Sequence, residues 1–119
     1  MKTLLIIDDE KHIRFLYEEE FTDAGYRVMT ASNGLEALDI LAQQPEIHLI
    51  LLDIKMPEMD GAEFLGRVRQ FNQHIPILIS TAYGDYVQQD FSAWLSDGYA
   101  VKTSDLNELK AKVKQLLGE

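Results

Sequence analysis

Acidic, hydroxyl and amino side chains stand at the ends of short apolar runs in this sequence. They are Asp8 and Asp9, Asp53, Thr81 with its neighbour Ser80, and Lys102. Three carboxylates that converge on one site repel one another, and burial raises the cost, so such a group requires a cation. All-oxygen ligands of this number suit Mg²⁺ rather than zinc. The chain has no cysteine that would suggest otherwise.

The hydroxyl and the amino group indicate what a metal at this site would assist. A lysine ammonium and a threonine hydroxyl can hold the oxygens of a transferred phosphoryl group, whose charge is stabilised mostly by position and electrostatics. An aspartate carboxylate is a known kind of phosphoryl acceptor. We therefore expect Asp53 to carry a phosphoryl group, with Thr81 and Lys102 beside it.

The apolar runs alternate with segments of helical period, which predicts a doubly wound α/β fold. The runs are TLLII (3–7), YRVMT (26–30), HLILL (48–52), PILIS (76–80) and GYAV (98–101). Within them, LLII and LILL are apolar without alternation, as parallel strands covered on both faces should be. In such sheets ligands bind outside the carboxyl ends of the strands, where all the polar residues above would stand.

Helical period and boundary signals agree with this alternation. Apolar residues share one face of a first helix (Ile13, Leu16, Tyr17, Phe21, Ala24), a third helix (Phe64, Val68, Phe71) and a last helix (Leu106, Leu109, Val113, Leu116, Leu117). Asn33 with Glu36 three residues later has the spacing of a capping box at the start of a second helix. Gly25 stands where the first helix should end.

Composition narrows the function classes. At 119 residues, with 46% hydrophobic and 26% charged residues, the chain fits one globular domain over 1–119. Eleven Lys and Arg against 20 Asp and Glu give a net charge of -9, which disfavours direct nucleic-acid binding. The apolar opening is cut short by the acidic pair, so we expect no signal peptide, no membrane span and a cytoplasmic location.

Four motifs, each at the end of a predicted strand, give the chain a family resemblance over nearly its whole length. They are LLIIDDE, LLDIKMPEMDG, ISTAYGD and DGYAVK. In this order they resemble the acidic-pair, phosphoacceptor, hydroxyl and lysine motifs of response-regulator receiver domains. The resemblance implies a flavodoxin-like fold with strand order 2-1-3-4-5 and a role in a two-component or phosphorelay system, as a signalling module rather than an enzyme.

The resemblance also implies roles for the acidic residues. Asp53 would take its phosphoryl group from a phosphohistidine on a sensor histidine kinase or a histidine phosphotransferase. Asp9, Asp53 and the backbone carbonyl of Lys55 would bind Mg²⁺, and Asp8 would contribute mostly through water.

Two strand-end residues and one aromatic residue complete the implied site. Thr81 and Lys102 would grip the phosphoryl oxygens, and Tyr99 matches the aromatic switch position that moves as Thr81 is drawn toward the phosphate. The signal would then pass to a downstream protein target or onward by phosphotransfer. Because the chain ends at Glu119, soon after the last predicted helix, we expect either a stand-alone relay or a receiver taken from a longer protein.

One residue departs from the family pattern. Receivers usually have proline after the lysine, joined by a cis peptide, whereas this chain has Thr103. A cis bond before a residue other than proline costs about 2.5 to 4 kcal/mol, so we expect a trans bond with Lys102 still able to reach Asp53. The alternative is a degenerate receiver that binds partners without phosphorylation.

Two further alternatives concern the acidic residues. Asp8 and Asp9 could be a helix N-cap pair, since acids are favoured before a first helical turn. Asp53 could instead be the nucleophile of an aspartyl-phosphate hydrolase of the haloacid dehalogenase type. Such enzymes carry a second Asp two residues later as general acid, and here that residue is Lys55, whose usual pKa of about 10.4 does not suit the role at neutral pH.

Overall fold

The computed structural model describes residues 1–43, 46–53, 61–71, 74–81, 98–101 and 106–118. Its strands are β1 (Thr3–Ile7), β2 (Arg27–Ala31), β3 (Leu49–Asp53), β4 (Ile77–Thr81) and β5 (Gly98–Val101). They form one parallel sheet with the order β2-β1-β3-β4-β5. This is the doubly wound fold and the strand order that the sequence predicts.

The helices within the described residues are α1 (Lys11–Asp23), α2 (Gly34–Gln43), α3 (Gly61–Phe71) and α4 (Asn107–Leu116). The first three connect successive strands from β1 to β4, and α4 follows β5. The segment between β4 and β5, where the alternation predicts a further helix, lies outside the described residues. No helix in the part of the chain that the structure describes is long and apolar enough to cross a membrane.

The central strands are buried on both faces. On one face, Leu5 and Ile7 belong to a core cluster that includes residues of α2 and α3. On the other face, Leu4 and Ile6 belong to a second cluster that includes residues of α1 and α4. This is why the first run shows no alternation, and why its backbone groups must be satisfied within the sheet rather than by water.

Three strands begin and end one residue later than the apolar runs that predicted them. The backbone ladder continues to Ala31 in β2, to Asp53 in β3 and to Thr81 in β4. Apolar runs mark burial of side chains, whereas a strand extends as long as its backbone pairing does. Asp53 and Thr81 are therefore the last residues of their strands, not the first residues after them.

Helix α1 packs against the sheet through fewer residues than the predicted apolar face contains. Tyr17 and Phe21 are buried and Ile13 is half-buried against the same cluster. Leu16 is 41% exposed and Ala24 is exposed at the C-cap, so these two members of the predicted apolar face are not buried. The buried residues follow a strict four-residue spacing, and Leu16 falls one residue, about 100°, to the side of it.

The end of α1 is closed by the glycine that marked it in the sequence. Gly25 has a positive φ of 100°, which a residue without Cβ adopts at little cost. Its N–H donates to the Thr22 carbonyl at 3.0 Å, and the Tyr26 N–H donates to the Phe21 carbonyl at 3.1 Å. This is the pair of hydrogen bonds of a Schellman motif, and it turns the chain directly into β2.

The start of α2 agrees with the predicted cap in one of its two bonds. The Glu36 N–H donates to Asn33 Oδ1 at 2.8 Å, as an N-cap requires. The Glu36 carboxylate accepts a hydrogen bond from the Ser32 hydroxyl at 2.9 Å. Both contacts hold the turn that follows β2.

Candidate functional site

The sheet register brings the predicted acidic residues to one edge. Ile7 of β1 pairs with Leu52 of β3. The residues that follow them in the sequence, Asp8 and Asp53, therefore stand at the same level of the sheet. Asp53 in turn pairs with Ser80 of β4. We call this end of the sheet, where all five parallel strands finish, the carboxyl edge.

The register continues across the remaining strands. Thr81 ends β4 and pairs with Val101, the last residue of β5, and Lys102 follows directly in the sequence. Tyr99 lies on β5 two residues before Val101, opposite Ile79. The backbone thus carries the predicted hydroxyl and switch residues to the same edge as the acids. Lys102, Lys55 and Thr103 lie outside the described residues, so the predicted trans peptide after Lys102 stays a prediction.

Asp8 is a buried acid held in place by its surroundings. Asp8 is only 2% exposed to solvent. Its N–H donates to the Ala31 carbonyl at 3.1 Å, which extends the β1–β2 ladder by one residue. Its Oδ1 accepts a hydrogen bond from the Glu10 N–H at 3.0 Å, and its carbonyl oxygen accepts one from Arg14 Nη1 at 2.6 Å. The backbone and the carboxylate of Asp8 are therefore both fixed.

The acidic pair does not act as a cap for α1. The N-cap position is Glu10, whose side chain makes no capping hydrogen bond, and the first turn contains no acidic residue. The Asp8 carboxylate bonds to the N–H of Glu10, before the helix begins. Asp9 is exposed beside it. The pair is thus presented at the carboxyl edge.

The donor chemistry of this edge fits Mg²⁺. Among the residues described by the structure, no three His, Cys, Asp or Glu side chains lie close enough together to hold a metal ion; the side chain of Asp53 and the whole of Lys55 lie outside that part of the chain. The described half of the predicted set consists of Asp8 and Asp9, both oxygen donors. Carboxylate oxygens with one backbone carbonyl are ligands that Mg²⁺ accepts, and such a set would suit zinc poorly.

Sequence reasoning missed two features of this edge. Arg14 carries a guanidinium back to the Asp8 carbonyl, and a basic residue six positions after the first acid was the available signal. Phe15, 65% exposed, and Leu16 lie on the outer side of α1 close to where the helix begins. The apolar period of α1 did not include Phe15, and it placed Leu16 on the same face as the buried Tyr17.

Comparison with known proteins identifies the family to which the chain belongs. The family model of the response regulator receiver domain matches residues 4–114. Together with the five-stranded order and the acids at its carboxyl edge, this match places the chain in that family. The chain is a receiver domain of a two-component signalling system, which confirms the family and the fold that the motifs predict.

The relatives include a sporulation phosphotransferase and a probable transcriptional regulator. Sporulation initiation phosphotransferase F of Bacillus subtilis (strain 168) is 40% identical over 116 residues, which is 96% of this chain and 92% of that protein. The probable transcriptional regulator ycf27 of Cyanophora paradoxa is 38% identical over 117 residues, 98% of this chain and 48% of the regulator. The chain therefore spans about half the length of that regulator.

Solved structures agree with the fold. Response regulator TrrA from Thermotoga maritima, solved in complex with Mg²⁺ and BeF, is 42% identical with a TM-score of 0.91, covering 98% of this chain and 99% of that one. The complex of histidine kinase ThkA with TrrA contains a chain that is 43% identical with a TM-score of 0.90 and the same coverage.

Proposed function

We propose that this chain accepts a phosphoryl group on Asp53 from a phosphohistidine of a sensor histidine kinase or histidine phosphotransferase. The observation that carries the proposal is the register of the carboxyl edge. Asp53 ends β3 between β1, which is followed by the buried Asp8, and β4, which ends at Thr81. The ThkA–TrrA complex and the sporulation phosphotransferase relative support a kinase or phosphotransferase partner.

The transfer itself requires little covalent chemistry from the protein. A carboxylate oxygen of Asp53 forms a bond to phosphorus while the bond from phosphorus to the histidine nitrogen breaks, and the released imidazole takes up a proton. Thr81 donates its hydroxyl hydrogen to a phosphoryl oxygen, and Lys102 pairs its ammonium with another. The hydrogen bonds of Asp8 to Ala31 and to Glu10 keep the end of β1 in a fixed geometry, so that little reorganisation is needed.

Asp9, Asp53 and the carbonyl of Lys55 would hold Mg²⁺, with Asp8 acting mostly through water. Bound there, the ion neutralises charge that builds up on the phosphoryl oxygens. The Mg²⁺–BeF complex of TrrA supports this assignment by similarity. It is also consistent with the cost of gathering three carboxylates without a cation.

Signal output would follow from a shift of Thr81 toward the phosphate, with Tyr99 as the second switch residue. The two stand on neighbouring strands, since Thr81 pairs with Val101 two residues after Tyr99. A local charge change would thus bias a two-state surface read by a downstream protein. We propose that residues 1–119 act as one cytoplasmic receiver domain. We also propose that it contacts protein partners rather than nucleic acid or membrane, in keeping with its charge of -9.

The test is the intact mass after incubation with Mg²⁺ and acetyl phosphate. We expect a phosphate-sized gain for the wild type, none for Asp53→Asn, and none for the wild type when EDTA replaces Mg²⁺. A gain that persists in Asp53→Asn would assign the acceptor to another residue.

The second candidate is a degenerate receiver, and the observation that favours it is Thr103 in place of the usual proline. Under that alternative the wild type would bind Mg²⁺ without gaining phosphate, and partner binding would be unchanged in Asp53→Ala. A Lys102→Ala variant separates the two functions. In a competent site it slows phosphoryl uptake while Mg²⁺ binding persists. Steady turnover of external phosphate esters by the wild type would instead support the hydrolase alternative.

A further inference from the structure

Arg14 connects α1 to the acidic pair through a backbone atom. It lies one turn into the helix, is half-buried, and donates Nη1 to the carbonyl oxygen of Asp8 at 2.6 Å. A guanidinium that donates to a carbonyl makes a charge-assisted hydrogen bond, which is shorter and stronger than a neutral one. The bond joins a side chain of the helix to a residue that is 2% exposed.

The position of this bond matters because the N–H of Asp9 lies in the same peptide plane as the Asp8 carbonyl. The carbonyl of Asp8 and the N–H of Asp9 belong to one rigid planar unit, so fixing the carbonyl limits the rotation of the whole unit. The N–H of Asp8 is already held by the Ala31 carbonyl, and its Oδ1 by the Glu10 N–H. Arg14 holds the next peptide unit, the one that leads into Asp9.

The geometry points to Arg14 as a positioning residue that sets the direction of Asp9 toward Mg²⁺ by clamping the Asp8 carbonyl. This inference rests on the proposed function, because it assumes that the acidic pair binds the metal. Residues that orient metal ligands without touching the ion typically change metal affinity about 10- to 100-fold when removed. We expect an effect near the lower end, because two further hydrogen bonds still hold Asp8.

The sign of the effect separates positioning from simple charge. A positive guanidinium near a cation site repels the incoming ion, so its removal alone would tighten Mg²⁺ binding. Loss of a clamp would weaken binding, because the ligands must be ordered when the ion binds. A purely structural role would lower the stability of the fold and leave Mg²⁺ affinity unchanged.

The chain offers a matched control at the other end of the sheet. Arg69 of α3 donates Nη1 to the Ile75 carbonyl at 2.7 Å, also six residues away in sequence and also half-buried. Ile75 precedes β4, at the end of the sheet opposite the acidic pair. Arg69→Gln therefore removes the same kind of bond and the same charge without touching the carboxyl edge.

The experiment titrates Mg²⁺ into the wild type, Arg14→Gln, Arg14→Lys and Arg69→Gln by calorimetry, and measures urea unfolding at each Mg²⁺ concentration. Stabilisation by a ligand depends on its dissociation constant, so the second readout gives the affinity independently of the starting stability. We expect the dissociation constant to rise about tenfold in Arg14→Gln and to stay within twofold of the wild type in Arg69→Gln.

Arg14→Lys covers the case in which Arg14→Gln fails to fold. Lysine retains one cationic donor at shorter reach, so we expect a partial rescue, with affinity about threefold below the wild type. An affinity in Arg14→Gln, or in Arg14→Lys if the former does not fold, that equals or exceeds the wild-type value would overturn the inference.

Phosphoryl uptake from acetyl phosphate is a second readout, which separates an effect on Mg²⁺ binding from an effect on the transfer step. If Arg14 acts through the metal ligands, Arg14→Gln raises the Mg²⁺ concentration for half-maximal rate about tenfold and leaves the rate at saturating Mg²⁺ nearly unchanged. A lower saturating rate at an unchanged half-maximal concentration would overturn it. Failure of the wild type itself to bind Mg²⁺ and gain phosphate would refute the proposed function, and that result is recognised without any Arg14 variant.

Discussion

The two ends of the sheet satisfy backbone groups in the same way but differ in the charged residues that they collect. At the amino end, where the strands begin, the Thr3 N–H donates to His48 Nδ1 at 2.9 Å and the Ile75 carbonyl accepts from Arg69. At the carboxyl edge, the Asp8 carbonyl likewise accepts from Arg14, but the same residue brings a buried carboxylate beside Asp9. Both ends satisfy backbone groups with side chains, and only one accumulates acids.

We interpret the difference as stability given up at the carboxyl edge for the proposed function. The amino-end contacts pair backbone groups with side chains and add no cluster of like charges. The carboxyl edge gathers like charges whose repulsion is relieved only by a cation or by a change of residue. Functional sites commonly carry such a cost, and substitutions that relieve it tend to stabilise the fold while they remove activity.

Among substitutions that compare the two ends of the sheet, Asp8→Asn has the largest expected effect. Asparagine retains an Oδ1 acceptor for the Glu10 N–H but removes one negative charge from the edge. We expect phosphoryl uptake at fixed Mg²⁺ to fall about 100-fold, and the free energy of unfolding in EDTA to rise by about 1 kcal/mol. Mass spectrometry and urea unfolding measure the two changes.

The control for Asp8→Asn is Asp39→Asn, which removes the same charge from an exposed position on α2. We expect neither phosphoryl uptake nor stability to change appreciably there. A loss of stability in metal-free Asp8→Asn would mean that the carboxylate supports the fold, and the contrast between the two ends would fail.

Exposed apolar residues near the carboxyl edge indicate where a partner protein would contact the chain. Helices α1 and α2 both begin at the carboxyl edge. Their first two turns contain three of the large hydrophobic side chains that are exposed in the described part of the chain: Phe15, Leu16 and Leu35. A partner that delivers a phosphoryl group to Asp53 must approach over this edge. Because α1 follows the acidic pair directly, Phe15 is the residue that we expect such a partner to contact.

We therefore expect Phe15→Ala to slow phosphoryl transfer from a phosphorylated histidine kinase about tenfold, as the loss of one aromatic contact residue commonly does. Uptake from acetyl phosphate should be unchanged, because that donor needs no docking surface. The control is Leu35→Ala, an exposed apolar residue on α2, which packs on the opposite face of the sheet from α1. Equal slowing with both donors would place the defect in the site and not in docking.

The sequence predicted the sheet more fully than the site. Uniformly apolar runs identify buried parallel strands, and the motifs at their ends identify the acids, because both are properties of adjacent residues. The clamp of Arg14 on Asp8 joins a side chain to a backbone atom, and the basic residue six positions after the acid does not by itself specify a backbone partner. The exposure of Leu16 was missed because helical period defines a face only to within one residue.

At the amino end, we expect His48→Ala to lower the free energy of unfolding by about 1 kcal/mol. The substitution removes the acceptor of the Thr3 N–H and leaves that half-buried donor without its partner, whereas the backbone bond from the His48 N–H to the Thr3 carbonyl at 2.8 Å persists. Mg²⁺ affinity and phosphoryl uptake should not change. Urea unfolding checks the first expectation and the acetyl phosphate assay the second.

His12→Ala is the control for this change, since His12 is a highly exposed histidine near the carboxyl edge whose described contact is a surface pair with Glu10. We expect little change in stability there. If His48→Ala reduced phosphoryl uptake as well, the two ends of the sheet would be coupled, and the division of roles between them would not hold.

The smallest expected effect concerns the ion pair between the two helices on one face. Lys110 Nζ of α4 lies 2.8 Å from Glu20 Oε1 of α1, with side chains 30% and 37% exposed. A double-mutant cycle with Glu20→Gln and Lys110→Gln should give a coupling of about 0.5 kcal/mol that weakens with added salt. Chemical unfolding at low and high ionic strength measures it.

This pair also tests how firmly α1 holds Arg14. The helix is seated by Tyr17 and Phe21, both buried, and burial of side chains of this size is worth more than a partly exposed ion pair. Breaking the pair should therefore leave the clamp on Asp8, and with it Mg²⁺ affinity, unchanged. A loss of Mg²⁺ affinity in Lys110→Gln would mean that the orientation of α1 depends on its contact with α4. The geometry of the carboxyl edge would then be set in part by α4, the helix that follows β5.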